Sequence, residues 1–323
     1  MDTKKRGHLR NPSIYGGPHR DRTCDPLIKS YLAFYTRTKL LVILLAFLSI
    51  WTSCGGGSDP APGPHVAEQT DYFDGVTYHR FYRYTGALLG YASSLDGHFE
   101  PYRGNPIMED SHFPYQVEYE GNRYLIVQHR ANGAAFYLYD VNVPTSPRVL
   151  NGGRPILEGG FFNVGVAVKD NRWHMLVEGK SGETFHLRYT WADFPDLDFN
   201  ANLGPPIIND AGNPYLTYIP ERDAILALYG ADYSGTGLWR VRAATFDLTS
   251  WTVQGFVLAK GGTHIADPDL GIGVEPCPLI LTVGYAQSAV STYLFSGSKL
   301  DLYDAIISGH VELEDLGVTM EAE

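Results

Sequence analysis

Cysteine is scarce in this chain of 323 residues: only Cys24, Cys54 and Cys277 are present. No CxxC pair and no Cys/His cluster with zinc spacing occurs, which excludes a disulfide-stapled scaffold and the common structural zinc sites. Positive charge is equally thin beyond the first 53 residues. That N-terminal stretch holds nine Lys/Arg against three Asp, and the rest holds 16 Lys/Arg against 33 Asp/Glu. So acidic a body repels phosphate backbones, and no nucleic-acid partner is expected. Glycine-rich phosphate loops, nucleophile elbows and dinucleotide fingerprints are missing as well. No cofactor is therefore expected; a metal ion in a central channel is left open, but no residue set assigns one, since His264 standing alone is not a ligand set.

Long apolar runs are missing with one exception, Leu40–Trp51, which reads LLVILLAFLSIW. Twelve residues are too few to span a bilayer as a helix. Arg37 and Lys39 precede the run, and Thr52, Ser53 and Cys54 follow it. A basic start, an apolar centre and small residues before a cut form a secretory signal, here over residues 37–53. A cysteine at the cut resembles the bacterial lipoprotein box, with Trp51 where Leu is usual. This resemblance implies lipidation at Cys54, a membrane partner through that lipid, and residence in the bacterial cell envelope at the outer membrane or cell surface. With everything before Cys54 removed, Cys277 is left without an intramolecular partner. Residues 54–65, rich in Gly, Pro and Ser, read as a flexible tether. Residues 1–36 do not suit a signal peptide. Arg20-Asp-Arg-Thr-Cys-Asp-Pro-Leu-Ile-Lys-Ser30 resembles a mistranslated transfer-RNA gene, which implies a start codon placed too far upstream.

The rest of the chain is dense in turn formers and aromatics, with 35 Gly, 20 Pro and 22 Tyr. This composition favours short strands and many turns. A polar turn followed by an apolar strand recurs five times, with reference residues Tyr78, Tyr124, Trp173, Ile225 and Leu279 spaced 46 to 54 apart. A second marker, x-Pro-Ile at Pro106, Pro155 and Pro206, runs in phase about 30 residues further on, where an outermost strand tolerates proline. Segments of strand character lie between the markers, and no sustained helical stripe is seen outside the signal. Four strands per unit of this period predict an all-β, five-bladed β-propeller over residues 66–323. A β-sandwich with accidental spacing is the alternative. The repeats lack the Gly-His and Trp-Asp phrases of the common interaction scaffolds.

In a propeller the heads of the innermost strands face a shared funnel. Twelve residues before each reference position stand Val66–Glu68, His112–Pro114, Phe161–Asn163, Asn213–Tyr215 and Asp267–Asp269. Three of these contain proline, as suits a chain entering a strand from a tight loop. His112, Asn163, Asn213, His264 and Asp269 are candidates to hold a ligand by hydrogen bonds. Tyr115, Phe162 and Tyr215 are candidates to stack on a sugar ring, whereas Trp173 reads as core.

Tyr91-Ala-Ser-Ser-Leu-Asp-Gly97, His264-Ile-Ala-Asp-Pro-Asp-Leu270 and the x-Pro-Ile marker resemble the five-bladed glycoside hydrolases of the arabinanase, β-xylosidase and invertase type. The resemblance covers about residues 66–310. It implies a carbohydrate partner and cleavage by paired carboxylates, one protonating the leaving oxygen and one acting as base or nucleophile. In that family an Asp comes from the first blade, an Asp from the second and a Glu from the third. Glu68 or Asp71 fills the first role by position and Asp110 the second. The third blade has Asn163 instead, leaving Glu178 on the next strand as the substitute; Asp267 is a further candidate from the fifth blade. A non-catalytic glycan-binding propeller is the alternative, and a monomer is expected in either case.

Overall fold

The computed structural model describes residues 66–84, 87–95, 99–232, 238–258, 265–271, 279–285 and 289–321. The expectations for the signal, the tether, Cys54 and His264 fall outside them. The described residues form five antiparallel sheets of four strands. The first blade is β1 (Val66–Phe73), β2 (Tyr78–Tyr84), β3 (Leu88–Ser94) and β4 (Glu100–Pro101). The second is β5 (His112–Tyr119), β6 (Asn122–His129), β7 (Ala135–Asp140) and β8 (Arg148–Val149). The third is β9 (Val164–Lys169), β10 (Arg172–Ser181), β11 (Thr184–Asp193) and β12 (Pro206–Asn209). The fourth is β13 (Ala211–Ile219), β14 (Ala224–Asp232), β15 (Trp239–Phe246) and β16 (Trp251–Leu258). The fifth is β17 (Ile265–Gly271), β18 (Leu279–Tyr285), β19 (Ala289–Phe295) and β20 (Glu314–Glu321).

Each blade runs in sequence order from its innermost to its outermost strand. The innermost strands touch in a ring: β1 meets β5, β5 meets β9, β9 meets β13, β13 meets β17, and β17 meets β1. Radial closure of this kind leaves only short outer edges exposed. The five reference residues all fall in second strands. The x-Pro-Ile marker lies against the outer side of third strands: Ile107 N–H donates to Leu89 and Ile156 N–H to Phe136, while Pro206 opens β12 beside β11. A two-sheet sandwich is excluded.

One element departs from the all-strand expectation. An α-helix, α1 (Lys299–Ser308), sits between β19 and β20. Its signals are local and short. Ser298 accepts from Asp301 N–H, the Asp301 carboxylate accepts from Ser298 N–H, and Gly309 closes the end in the left-handed region. This capping box and C-terminal glycine nucleate a helix whose Leu302 and Ile306 bury into the fifth blade.

Apolar cores fill the spaces between neighbouring blades. The largest, between the second and third, surrounds the fully buried Trp173. The seam between the first and fifth blades is different. Its apolar cluster among the described residues is Tyr82, Ala92 and Val290, with Phe99 against it. Polar contacts take over the rest. Asp71 N–H donates to Asp269 Oδ2 at 3.0 Å, and Gln69 Nε2 donates to Thr282 Oγ1 at 3.4 Å. Arg80 grips the Asp71 carboxylate through Nε at 2.7 Å and its terminal nitrogen at 2.6 Å, with both side chains almost wholly buried. The same guanidinium lies 4.0 Å over the Phe99 ring.

Removing one partner of a buried ion pair strands the other, which costs about 3–5 kcal/mol. Arg80→Met is therefore expected to lower the free energy of unfolding by roughly that amount, read from the urea midpoint. An unchanged midpoint would show that the pair does not hold the seam.

Candidate functional site

The inner strands of four blades carry the same irregularity. In β1 the register skips between Ala67 and Thr70, in β5 between His112 and Tyr115, in β13 between Gly212 and Tyr215, and in β17 between Ala266 and Asp269. Two residues thus face one on the second strand, which is a β-bulge. The first bulged residue has positive φ each time: Glu68 55°, Phe113 51°, Asn213 51° and Asp267 51°. In three blades proline follows, as Pro114, Pro214 and Pro268. Proline is tolerated there because the bulged residue has no ladder bond to donate. These prolines therefore sit inside the strands, which corrects the expectation that they mark entry from a loop.

The bulges aim Glu68, Phe113, Asn213 and Asp267 at a small space on the propeller axis, with Asn163 beside them. In the third blade Phe162 N–H donates to the Glu178 carbonyl and Glu178 N–H to the Asn163 carbonyl, so two residues again face one, but neither has positive φ. β9 pairs regularly with β10 from Val164 onward, and the acid comes from β10 instead, as Glu178. The Glu178 carboxylate occupies room that Gly212 leaves vacant: a Cβ at that position would stand 2.5 Å from Glu178 Oε2. Asn163 Nδ2 donates to Glu178 Oε2 at 3.0 Å and Asn213 N–H donates to it at 2.7 Å. Asn213 Nδ2 donates to Asp267 Oδ1, so one asparagine bridges two acids. Glu68 accepts from Arg83 at 2.6 Å and from Phe113 N–H at 3.3 Å.

Three carboxylates from the first, third and fifth blades thus share one site. Burial pushes Glu178 up to about 7, opposed by its two hydrogen bonds and assisted by the charge of Glu68. Burial also pushes Asp267 up to about 8, assisted by Glu68 and Glu178 and opposed by Arg83. Such shifts follow when like charges crowd a poorly solvated space.

The other candidates lie elsewhere. Asp110 does not join the three acids. Its Oδ2 accepts from Ala131 N–H at 2.8 Å, and its carbonyl receives His129 Nδ1 at 2.7 Å, which makes it a turn fastener at the rim. Asp71 belongs to the buried seam below, and Asp269 accepts from Asp71 N–H in that seam while also lining the floor. His112 is buried with no partner for Nδ1, and desolvation lowers it to about 4, so it is a neutral ring behind Phe113. Tyr115 and Tyr215 do not offer faces to a sugar. The Tyr115 hydroxyl lies between the carbonyls of Val166 and Leu216, 3.2 and 3.0 Å away, and accepts from Leu216 N–H, Tyr215 donates to the carbonyl of Leu270, and their rings lie 6.1 Å apart. They cross the channel as a plug, because a phenol in the axis finds backbone carbonyls on the facing blade. Phe162 stands on the rim, edge-on to Phe113 and to Phe185, which is in turn edge-on to Trp239. Lys180 pairs with Glu183, leaving Glu178 to the funnel. Arg83, Gly212 and the Phe185–Trp239 pair went unread in the sequence; the arginine is separated from its acid by a whole hairpin.

No protein-family model matches the sequence, and no curated protein is significantly similar to it. Solved structures do match by shape. A thermostable family-43 glycoside hydrolase superposes with a TM-score of 0.58 at 12% identity, over 84% of this chain and 97% of that one. An endo-1,4-β-xylanase from Bacteroides thetaiotaomicron gives 0.57 at 12%, over 78% and 94%. A family-62 hydrolase in complex with xylotriose gives 0.51 at 15%, over 71% and 87%. The fold is that of the five-bladed glycoside hydrolases. Identities this low speak for the fold alone.

Glu178 and Asp267 hold their protons more tightly in the folded chain than in the unfolded one, where carboxyls titrate near pH 4. The folded state therefore binds more protons between about pH 4 and the folded values of about 7 and 8, and stability falls as pH rises through that window. Glu178→Gln, neutral at every pH, is expected to flatten the fall and to exceed the parent at pH 8 by on the order of 2 kcal/mol. Parallel stability–pH curves for the two proteins would refute the shift.

Proposed function

We propose that this propeller cleaves glycosidic bonds by acid/base carboxylate chemistry at the funnel floor. The observation that carries the reading is the convergence of Glu68, Glu178 and Asp267 from three blades, with burial holding Glu178 up to about 7. A carboxylic acid still protonated near neutrality can protonate a leaving glycosidic oxygen. Glu178 takes that role. Glu68, paired with Arg83, acts as base toward water or as nucleophile at the anomeric carbon. Asp267 shares Asn213 with Glu178 and, held up to about 8 by burial, stays protonated while Glu178 titrates, so the charge that assists Glu178 is that of Glu68. The floor itself encloses only about 30 Å³, room for a water and not for a sugar. The ring would therefore rest above it, against Phe162, Phe185 and Trp239. Similar propellers are described as xylanases and as binding xylotriose, so pentose-rich arabinoxylan-type glycans are the substrates of choice. Lipidation at Cys54 would place this activity at the cell envelope.

One feature favours a non-catalytic glycan receptor instead: the bulge of the second blade presents Phe113 where the family supplies an acid.

Turnover of aryl arabinofuranosides, aryl xylosides and arabinoxylan separates the two readings. Glu178→Gln and Glu68→Gln are each expected to lower kcat by about 10²–10⁴-fold. Asp110→Asn should leave the rate near the parent value. Gly212→Ala, which displaces the Glu178 carboxylate, should lower kcat with little change in KM. Binding of these sugars without turnover in the folded parent would leave a receptor.

A further inference from the structure

A second cleft lies far from the funnel. The heads of β10, β14 and β16 and the tails of β11 and β15 lie on the face opposite the funnel mouth, because strands alternate in direction. There the third and fourth blades part to leave a cavity of about 610 Å³, with a neighbouring one of about 430 Å³ that shares Arg172, His174 and Leu248 with it. Volumes of this size suit a small ligand or a few sugar units.

The walls are aromatic. On the third blade Trp191 and Tyr189 stand two residues apart on one side of β11, so they share a face. On the fourth, Phe246 and Trp251 stack at 4.9 Å with their planes 12° apart. Tyr189 closes against both, 5.0 Å from Phe246 and 5.9 Å from Trp251. The charged groups that line the larger cavity are already neutralised. Arg172 lies 3.8 Å over Trp191 and is held by both carboxylate oxygens of Asp193, at 2.9 and 3.3 Å. Lys169 is paired with Asp223. His174 donates to or accepts from Tyr189 OH at 2.7 Å, and desolvation lowers its pKa to about 4, so it adds no charge. The indole N–H of Trp251, buried in the wall, has no acceptor within the protein.

The rim is hydroxylated and rigid. Asp247 Oδ1 accepts from the N–H groups of Thr249 and Ser250 at 3.0 and 2.8 Å and from the Thr249 hydroxyl at 2.6 Å. This turn holds Leu248 at φ 68°, a conformation unfavourable for a branched side chain, and so keeps it in both cavities.

Flat apolar faces bordered by internally paired charges and hydroxyls do not fit a polyanion or a charged peptide. They fit a neutral ligand with one apolar and one hydroxylated side. We infer that the cleft between the third and fourth blades is a second carbohydrate site, which holds a neutral oligosaccharide segment on Trp191, Tyr189 and Trp251. The site works without the funnel carboxylates, so it would tether a polymer whether or not the funnel cleaves it.

The test is affinity electrophoresis of the full chain through gels containing arabinoxylan, xyloglucan or arabinan, run beside a gel without polymer. Trp191→Ala leaves the Phe246–Trp251 stack in place and is expected to weaken retention about tenfold, or 1.4 kcal/mol. Trp191→Phe should restore most of it. Glu178→Gln, which disables the proposed chemistry in the funnel, should be retained like the parent. Unaltered circular dichroism and thermal midpoints establish that the variants fold. Parent-like retention of folded Trp191→Ala and of Trp191→Ala/Thr249→Ala would overturn the inference. So would the absence of retention of the parent in every gel, or loss of retention in Glu178→Gln alone.

Discussion

The site is built by one extra residue in each of four inner strands. In a regular ladder successive side chains point to opposite faces of the sheet, toward the neighbouring blades. A bulge breaks that alternation at one place and re-aims a single side chain. Here the break recurs at the same height in the first, second, fourth and fifth blades. The conformation at each bulge is unfavourable for a residue with a Cβ, on the order of 1 kcal/mol or more. Asparagine and aspartate tolerate it best, and two of the four positions are Asn213 and Asp267. Glu68 and Phe113 gain nothing from local chemistry there, so their strain is compensated by what surrounds them: Arg83 and Phe113 N–H for Glu68, and the Phe162 edge for Phe113.

The third blade uses a different form of the device, with Phe162 and Asn163 facing Glu178 and no positive φ at either. It offers Asn163 and no acid from its inner strand, and the carboxylate arrives from one strand further out. That longer reach works only because Gly212 on the neighbouring blade leaves a vacancy and Asn213 N–H meets the oxygen that fills it. A glycine and a bulge on the fourth blade thus complete the acid of the third. The placement also explains the raised proton affinity: a carboxylate wedged between two sheets loses water on every side and recovers only two hydrogen bonds.

The architecture was legible in the sequence because each blade repeats the same turn and strand, and proline marks the same outer edge three times. The heads of the inner strands could be counted back from those markers, which brought Glu68, Asn163, Asn213 and Asp267 into one list. His112 and Tyr215 stood in the same windows, with Asp110 and Tyr115 just outside one of them, and play other parts, because a window of three residues does not say which one occupies the bulge. The residue before proline was the available clue: it is the bulged one in Phe113-Pro114, Asn213-Pro214 and Asp267-Pro268. The first blade has Gln69 in place of proline and gives no such clue. Gly212 and Arg83 were invisible because their roles depend on a neighbouring blade or a paired strand, and no periodicity encodes either. The helix was legible in Ser298, Asp301 and Gly309, but its apolar stripe is too short to stand out against strands of similar composition.

Ring closure sets a limit on how the funnel can be used. The first blade is made wholly from the start of the propeller and the fifth wholly from its end, so no strand is shared across their seam. What joins them is a polar lock of Asp71, Arg80 and Asp269 directly beneath Glu68 and Asp267. Asp269 is pushed upward by burial and by Asp71, while Arg80 opposes the shift. Acids therefore stand in two layers along the same pair of strands: Glu68 and Asp71 on β1, two residues between them, and Asp267 and Asp269 on β17, with Pro268 between them. The lower layer is pinned by Arg80 on Asp71, and Asp269 reaches the edge of the floor beside Tyr115 and Tyr215. The upper layer is left with Arg83 and the two asparagines as its counterweights, and Arg83 reaches only Glu68 by hydrogen bond among the contacts seen. Excess negative charge in the upper layer is relieved by protonation of Glu178 and Asp267. A seam closed by hydrophobic packing alone would lack the bond from Asp71 N–H to Asp269 that ties β1 to β17 just below the acids of the floor.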